Sequence, residues 1–218
     1  MPYAFANSTT LQSLELKQNY IQSLEKYSFA NLPSLREISL KMNNIREIGR
    51  DVFRNLPSLK RLLLEENSIN VVQDLAFAEL RNLEELTMFR NQLTAISRNT
   101  FVGLITLRRL DLHSNLLSEL KDFTFAEMPN LRELIVEQNM IENVGEKVFY
   151  GIPNLEKLVM AENKLHILPD NVFTSLPFLH ELNLRDNLLQ TFTFDTAHPI
   201  LDKLRNESFY FYIEGKCN

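Results

Sequence analysis

The sequence predicts an α/β repeat fold: a curved solenoid of stacked coils, with a parallel β-sheet on the concave side and an irregular, helix-poor convex side. Three observations predict it. Asn19, Asn43, Asn67, Asn91, Asn115, Asn139, Asn163 and Asn187 follow one another at intervals of 24 residues. Phe5, Phe29, Phe53, Phe77, Phe101, Phe125, Phe149 and Phe173 keep the same period in a second register. Between them lies a fixed apolar spacing, as in Leu59-x-x-Leu62-x-Leu64-x-x-Asn67-x-Ile69 and Leu179-x-x-Leu182-x-Leu184-x-x-Asn187-x-Leu189. A constant period of this length marks a repeat architecture, in which each unit buries its apolar face only by stacking on the next.

Each element of the coil follows from its residues. Leu62-x-Leu64 alternates as a short strand with one buried face, and the same segment of the next copy stacks beside it about 4.8 Å away, building a parallel sheet. The Asn stands where the chain turns off the sheet, and its amide both donates to and accepts from backbone groups of the turn and the neighbouring coil. The Phe column fills the wide side of each coil, in segments such as Phe53-Arg-Asn-Leu56-Pro57-Ser-Leu59. Pro33, Pro57, Pro129, Pro153 and Pro177 interrupt regular helix there, leaving extended or 3₁₀ turns.

Composition agrees. Of 218 residues, 38 are Leu and 22 Asn, against five Gly and no Trp, the two types the coil consumes. The net charge of -5 argues against nucleic acid as the ligand, since a phosphate-binding surface needs a basic excess. No apolar run is long enough for a membrane span, and Met1-Pro-Tyr-Ala-Phe-Ala-Asn7 lacks the basic start and apolar stretch of a signal peptide. The single Cys217 rules out an intrachain disulfide.

With these residues in view, the chain resembles the typical 24-residue class of leucine-rich repeats, over roughly residues 2–200. Toll-type receptors, Slit-type guidance proteins, small matrix proteoglycans and insect adhesion proteins are built from it. The resemblance implies a leucine-rich repeat solenoid, a horseshoe, in an extracellular or cell-surface setting reached by the secretory pathway. The function it implies is binding of a protein ligand on the concave face, with no cofactor expected. The resemblance leaves adhesion, guidance and innate immune reception open, and adds self-association as a further expected partner mode. The alternatives are a structural matrix protein and an intracellular scaffold. We treat residues 1–218 as one domain, regular over about 2–190 and irregular over 191–218. The strand-like segment Phe209-Tyr-Phe211-Tyr-Ile213 is expected to close a last coil of 29 residues, with Lys216 in the Asn position. Related families carry Cys-rich caps, so the preferred expectation is a portion of a longer protein; a complete protein with worn-down caps is the alternative.

Two sequons, Asn7-Ser8-Thr9 and Asn206-Glu207-Ser208, fall outside the strand ladder and are candidate glycosylation sites. Before the first strand Leu stand Glu37, Arg61, Glu85, Arg109, Glu133, Lys157 and Glu181, alternating in sign. We read this column as a register-setting ladder first and a ligand surface second. The next outward columns are expected to be polar on a solvated sheet face. They instead include Leu63, Phe89, Ile135, Val159 and Ala161. Several apolar residues on one face point to an interaction patch. With Glu65, Thr87, Arg90, Asp111, His113 and Glu137 they form the candidate protein-binding set, Phe89 being its anchor and Glu65, Arg90, His113 and Glu137 its polar rim. Catalytic signatures are missing: His113, His166, His180 and His198 show no metal-binding spacing, and no Gly-rich phosphate loop exists. His113, near Asp111 and Glu137, is at most a pH-sensitive contact.

Overall fold

The computed structural model describes Phe5, residues 8–204 and residues 209–214. Their central feature is a parallel sheet of nine three-residue strands taken in chain order, from Ser13–Glu15 through Glu37–Ser39, Arg61–Leu63, Glu85–Thr87, Arg109–Asp111, Glu133–Ile135, Lys157–Val159 and Glu181–Asn183 to Tyr210–Tyr212. Register advances by one period at each step, pairing Leu14 with Ile38, Leu62 with Leu86 and Leu158 with Leu182. The alternating leucines point inward: Leu62, Leu64, Leu110 and Leu112 are fully buried.

The Asn column ties the coils together. The Asn115 side-chain amide donates to the carbonyls of Leu112 at 3.0 Å and His113 at 3.4 Å in its own coil, and to Met88 at 3.0 Å in the coil before. Its Oδ1 accepts the N–H of Leu93 at 3.0 Å, again in the preceding coil. Asn43, Asn67, Asn91, Asn139, Asn163 and Asn187 repeat this arrangement. The residue just before each Asn, from Gln18 to Asp186, is left-handed, with φ between 51° and 58°. This conformation costs about 1 kcal/mol for a residue with a Cβ, and the Asn bonds offset it. It turns the N–H toward the following coil, as where Met42 donates to Glu65 O at 3.1 Å and Gln138 to Ala161 O at 3.0 Å.

On the opposite side the Phe rings stack in two runs, Phe5 to Phe77 and Phe101 to Phe173, with centroids 5.6 to 6.5 Å apart. Strands sit about 4.8 Å apart on the sheet side. The wider ring spacing bends the stack so that the sheet lies inside. Short pieces cover the convex side: paired two-residue strands such as Phe29–Ala30 with Phe53–Arg54, and a 3₁₀ turn over Arg98–Phe101.

The last coil differs. A helix, Phe194–Leu204, replaces the extended segment. Thr193 caps it, its Oγ1 accepting the N–H of Thr196 at 3.1 Å while donating to Asp170 Oδ1 at 2.5 Å. The convex register survives further than expected, because Ile200, 24 residues after Leu176, is buried in the Leu column. Leu182 pairs with Phe211, the 29-residue step expected, so the five extra residues are inserted between Ile200 and Phe211. Asn7, Asn206 and Lys216 lie outside the described residues.

Candidate functional site

The outward side chains of the nine strands form parallel columns, and their neighbours in adjacent coils decide their state. The alternating column is an ion-pair ladder. Arg61 pairs with Glu37. Arg109 reaches Glu133, Glu85 at 3.8 Å and Asp111 at 3.0 Å, and Lys157 lies between Glu133 at 3.8 Å and Glu181 at 3.0 Å. Burial opposes the charge of Arg109, but the hydrogen bond to Glu133 and the fields of Glu133, Asp111 and Glu85 outweigh it. The Arg109 pKa is raised above its ordinary value.

The candidate residues fall into three groups. Glu65 is buried, held by Lys41 at 2.5 Å and by the Thr87 hydroxyl at 2.5 Å. It is therefore unavailable as part of a polar rim, which corrects the expectation for that residue. Thr87 is buried with it. Asp111 is also buried, and binds Arg109 and His113 Nδ1, the latter at 2.7 Å. Phe89 is half-buried, and its ring stacks on that of His113. Leu63 is half-buried. Arg90 occupies a left-handed turn position at the sheet margin, exposed, with Glu66 at 3.5 Å.

Ile135, Val159 and Ala161 make a separate apolar cluster on the outer face of the sheet. They are 9%, 6% and 5% exposed, so they cover one another instead of standing free on a solvated surface. Glu137, beside them, is half-buried, and its carboxylate has no partner among the described residues.

Two features had escaped the sequence. Arg185 lies over the Tyr212 ring, 4.2 Å from its centroid, a pair that required the register of the last strand. A second ladder runs along the flank: Ser58, Asn82, Thr106, Asn130 and Asn154 each donate to a carbonyl 25 residues earlier, at 2.6 to 2.9 Å. Its signal was present as a small polar residue at one fixed position after the Leu-Pro column. Among the described residues no group of three or more His, Cys, Asp or Glu is placed to hold a metal ion, and no helix is long and apolar enough to cross a membrane.

Comparison with known proteins places this geometry. A model described as BspA type leucine rich repeat region (6 copies) matches residues 1–108, and a leucine rich repeat model matches 90–141, 105–165 and 129–189. No curated protein matched the sequence. Solved structures did. The Toll chain of the Drosophila Toll–Spatzle complex superposes with a TM-score of 0.78 at 23% identity, over 82% of this chain and 25% of that one. TLR13 from its complex with ssRNA13 gives 0.65 at 28% identity, over 84% and 29%. A chain of the octameric complex of Latrophilin 3, Unc5D and FLRT2 gives 0.67 at 24% identity, over 95% and 70%. The chain thus spans less than a third of the first two.

Proposed function

Because the chain belongs to the leucine-rich repeat family, we propose that it is an extracellular recognition module that binds a protein partner through its concave sheet, as part of a cell-surface receptor or adhesion protein. The observation that carries this is the state of Phe89. The stack needs no large ring at that position, where other coils carry Lys17, Lys41, Glu65, His113, Glu137, Ala161 and Arg185. Yet the ring is held in place on the outer face. Aromatic residues fixed at a surface are favoured where a few contacts dominate binding.

The Toll and FLRT2 structures are complexes with protein partners, which supports a protein ligand here. TLR13 was solved with RNA. Against RNA stands the pairing of cations on this sheet: Arg61, Arg109 and Lys157 are each engaged by carboxylates, which leaves little positive field for a phosphate chain. No catalytic role is proposed.

The test is capture. The full chain, immobilised, is presented to a library of secreted and cell-surface ectodomains beside a Phe89→Ala variant. The proposal requires a protein retained by the wild type and depleted on the variant; equal retention of every captured protein contradicts it.

A further inference from the structure

The flank that leads into the sheet carries one ring that its own bonding does not account for. Along the polar ladder Asn82 and Asn154 donate to the carbonyls of Pro57 and Pro129 at 2.8 and 2.9 Å, and Ser58, Thr106 and Asn130 make the same step. The next position of this column is Phe178, 24 residues after Asn154 and preceded by Pro177 as Asn154 is by Pro153. A phenyl ring has no N–H or O–H to give to the Pro153 carbonyl, and this one is 62% exposed. The stack gains neither the bond nor the burial.

Phe178 stands at one end of two adjoining hollows. With Glu156, His180, Arg132 and Asn154 it lines the first, and Arg132 and Asn154 also line the second, which runs on to Arg108, Glu84 and Lys60. Three cations there face two carboxylates. Lys60 pairs with Glu84 at 2.7 Å and Arg132 with Glu156 at 2.9 Å. Arg108, exposed between those pairs, forms no ion pair among the described residues. Its field reaches Glu84, which Lys60 already holds. On a chain of net charge -5, this groove thus keeps one cation in surplus and one large apolar surface. Phe178 lies three coils beyond Arg108, about 15 Å away at about 4.8 Å per coil.

We infer that this groove is a second docking surface, taking an extended segment of a protein partner that carries an Asp or Glu four or five residues from a large apolar side chain. The carboxylate meets Arg108 and the apolar side chain covers Phe178. An extended chain advances about 3.3 Å per residue, so four or five residues span the separation. Between the two ends, the Asn130 and Asn154 amides each spend one N–H on the ladder, which leaves a second N–H and an oxygen for the backbone of such a segment. A uniformly acidic chain would set its other charges against Glu84 and Glu156, and a basic one would be repelled by Arg108, which is how a site rejects the wrong partner. None of these residues belongs to a strand of the sheet, so the inference goes beyond the concave-face proposal.

The test is to pan a random linear peptide library against the full chain and to titrate a synthetic peptide of the enriched consensus against Arg108→Gln, Phe178→Asn and Phe89→Ala variants. The consensus should place Asp or Glu four or five residues from Phe, Tyr, Leu or Met. Its peptide should bind each flank variant about tenfold or more weakly, the loss typical of a removed hot spot or interfacial charge contact. It should be indifferent to Phe89→Ala and should weaken as salt is added. The circular dichroism melt of Phe178→Asn should stay at or above that of the wild type, because the new amide supplies the donor that Asn82 and Asn154 supply in their coils. A lowered melt would make the ring structural and overturn the inference. No enrichment, a consensus without the acidic residue or the spacing, or a peptide indifferent to either flank variant would also overturn it. Peptides lost on Phe89→Ala alone would sink the flank surface and leave the concave-face proposal standing.

Discussion

Phe89 lies flat on His113, ring centroids 4.3 Å apart and planes 12° from parallel. His113 is itself fixed, its Nδ1 bound to Asp111 at 2.7 Å, and Asp111 is held by Arg109. A side chain on the outer face is thus immobilised through a relay that ends in a buried carboxylate. An anchor already ordered before contact spares the entropy that binding would otherwise cost.

The Phe column should be the largest local contributor to stability. Phe101 is fully buried and stacked on Phe125 at 6.1 Å, so Phe101→Ala is expected to cost about 3–5 kcal/mol in a urea melt. A loss under about 1 kcal/mol would mean the ring is not core.

The Asn column should be graded by its neighbours. Asn139 donates to Leu112, Val136 and Glu137 and accepts from Leu117. Exposed Asn19 only donates, to two carbonyls of its own coil. Asn139→Ala leaves buried groups unpaired and should cost roughly 1–3 kcal/mol, with Asn19→Ala well below it. Equal losses in denaturant titrations would show that the inter-coil bonds contribute nothing.

Gly103 has φ +96°, and a Cβ there would stand 2.3 Å from the Ala78 carbonyl oxygen. Gly103→Ala therefore combines backbone strain with a clash against a neighbouring coil, and is expected to destabilise by more than about 2 kcal/mol. Gly49→Ala, whose Cβ meets nothing nearer than 3.9 Å, is the control. A thermal melt placing both alike would contradict the close approach of these coils.

Lys60 Nζ donates to Glu84 at 2.7 Å. That hydrogen bond holds the Glu84 pKa below its ordinary value against a smaller opposing effect of burial, helped by the charges of Lys60 and Arg108. A carboxylate whose folded pKa is depressed adds stability above its unfolded pKa and loses it as pH falls through the folded value. Lys60→Met should raise the Glu84 titration midpoint followed by NMR. The small stability gap between wild type and variant should be present at neutral pH and close in acid. An unmoved midpoint would show that Lys60 does not set it.

Strand register, Phe stack and Asn turns were legible because every coil makes the same demands, so each residue type is seen eight times. The left-handed column was not, since Gln18, Met42, Glu66 and Arg90 share no conformational preference and the hydrogen bonds around them impose the turn. Gly103 and Gly151 did leave a trace, two residues after Phe101 and Phe149. The helix Phe194–Leu204 occurs once and contains Pro199, so neither repetition nor propensity announced it. In the candidate site the outward columns were readable but exposure was not. Burial of Glu65 or Val159 depends on the side-chain lengths in adjacent coils and on pairs such as Glu65 with Lys41.

The most direct measurement is a binding titration of the captured protein partner against Phe89→Ala, beside a circular dichroism melt of the same variant. With the ring outside the interior core, the melt should be unchanged and the affinity weakened by about 2 kcal/mol or more. An unchanged affinity with a lowered melting point would contradict the binding role and make Phe89 a structural cover for His113.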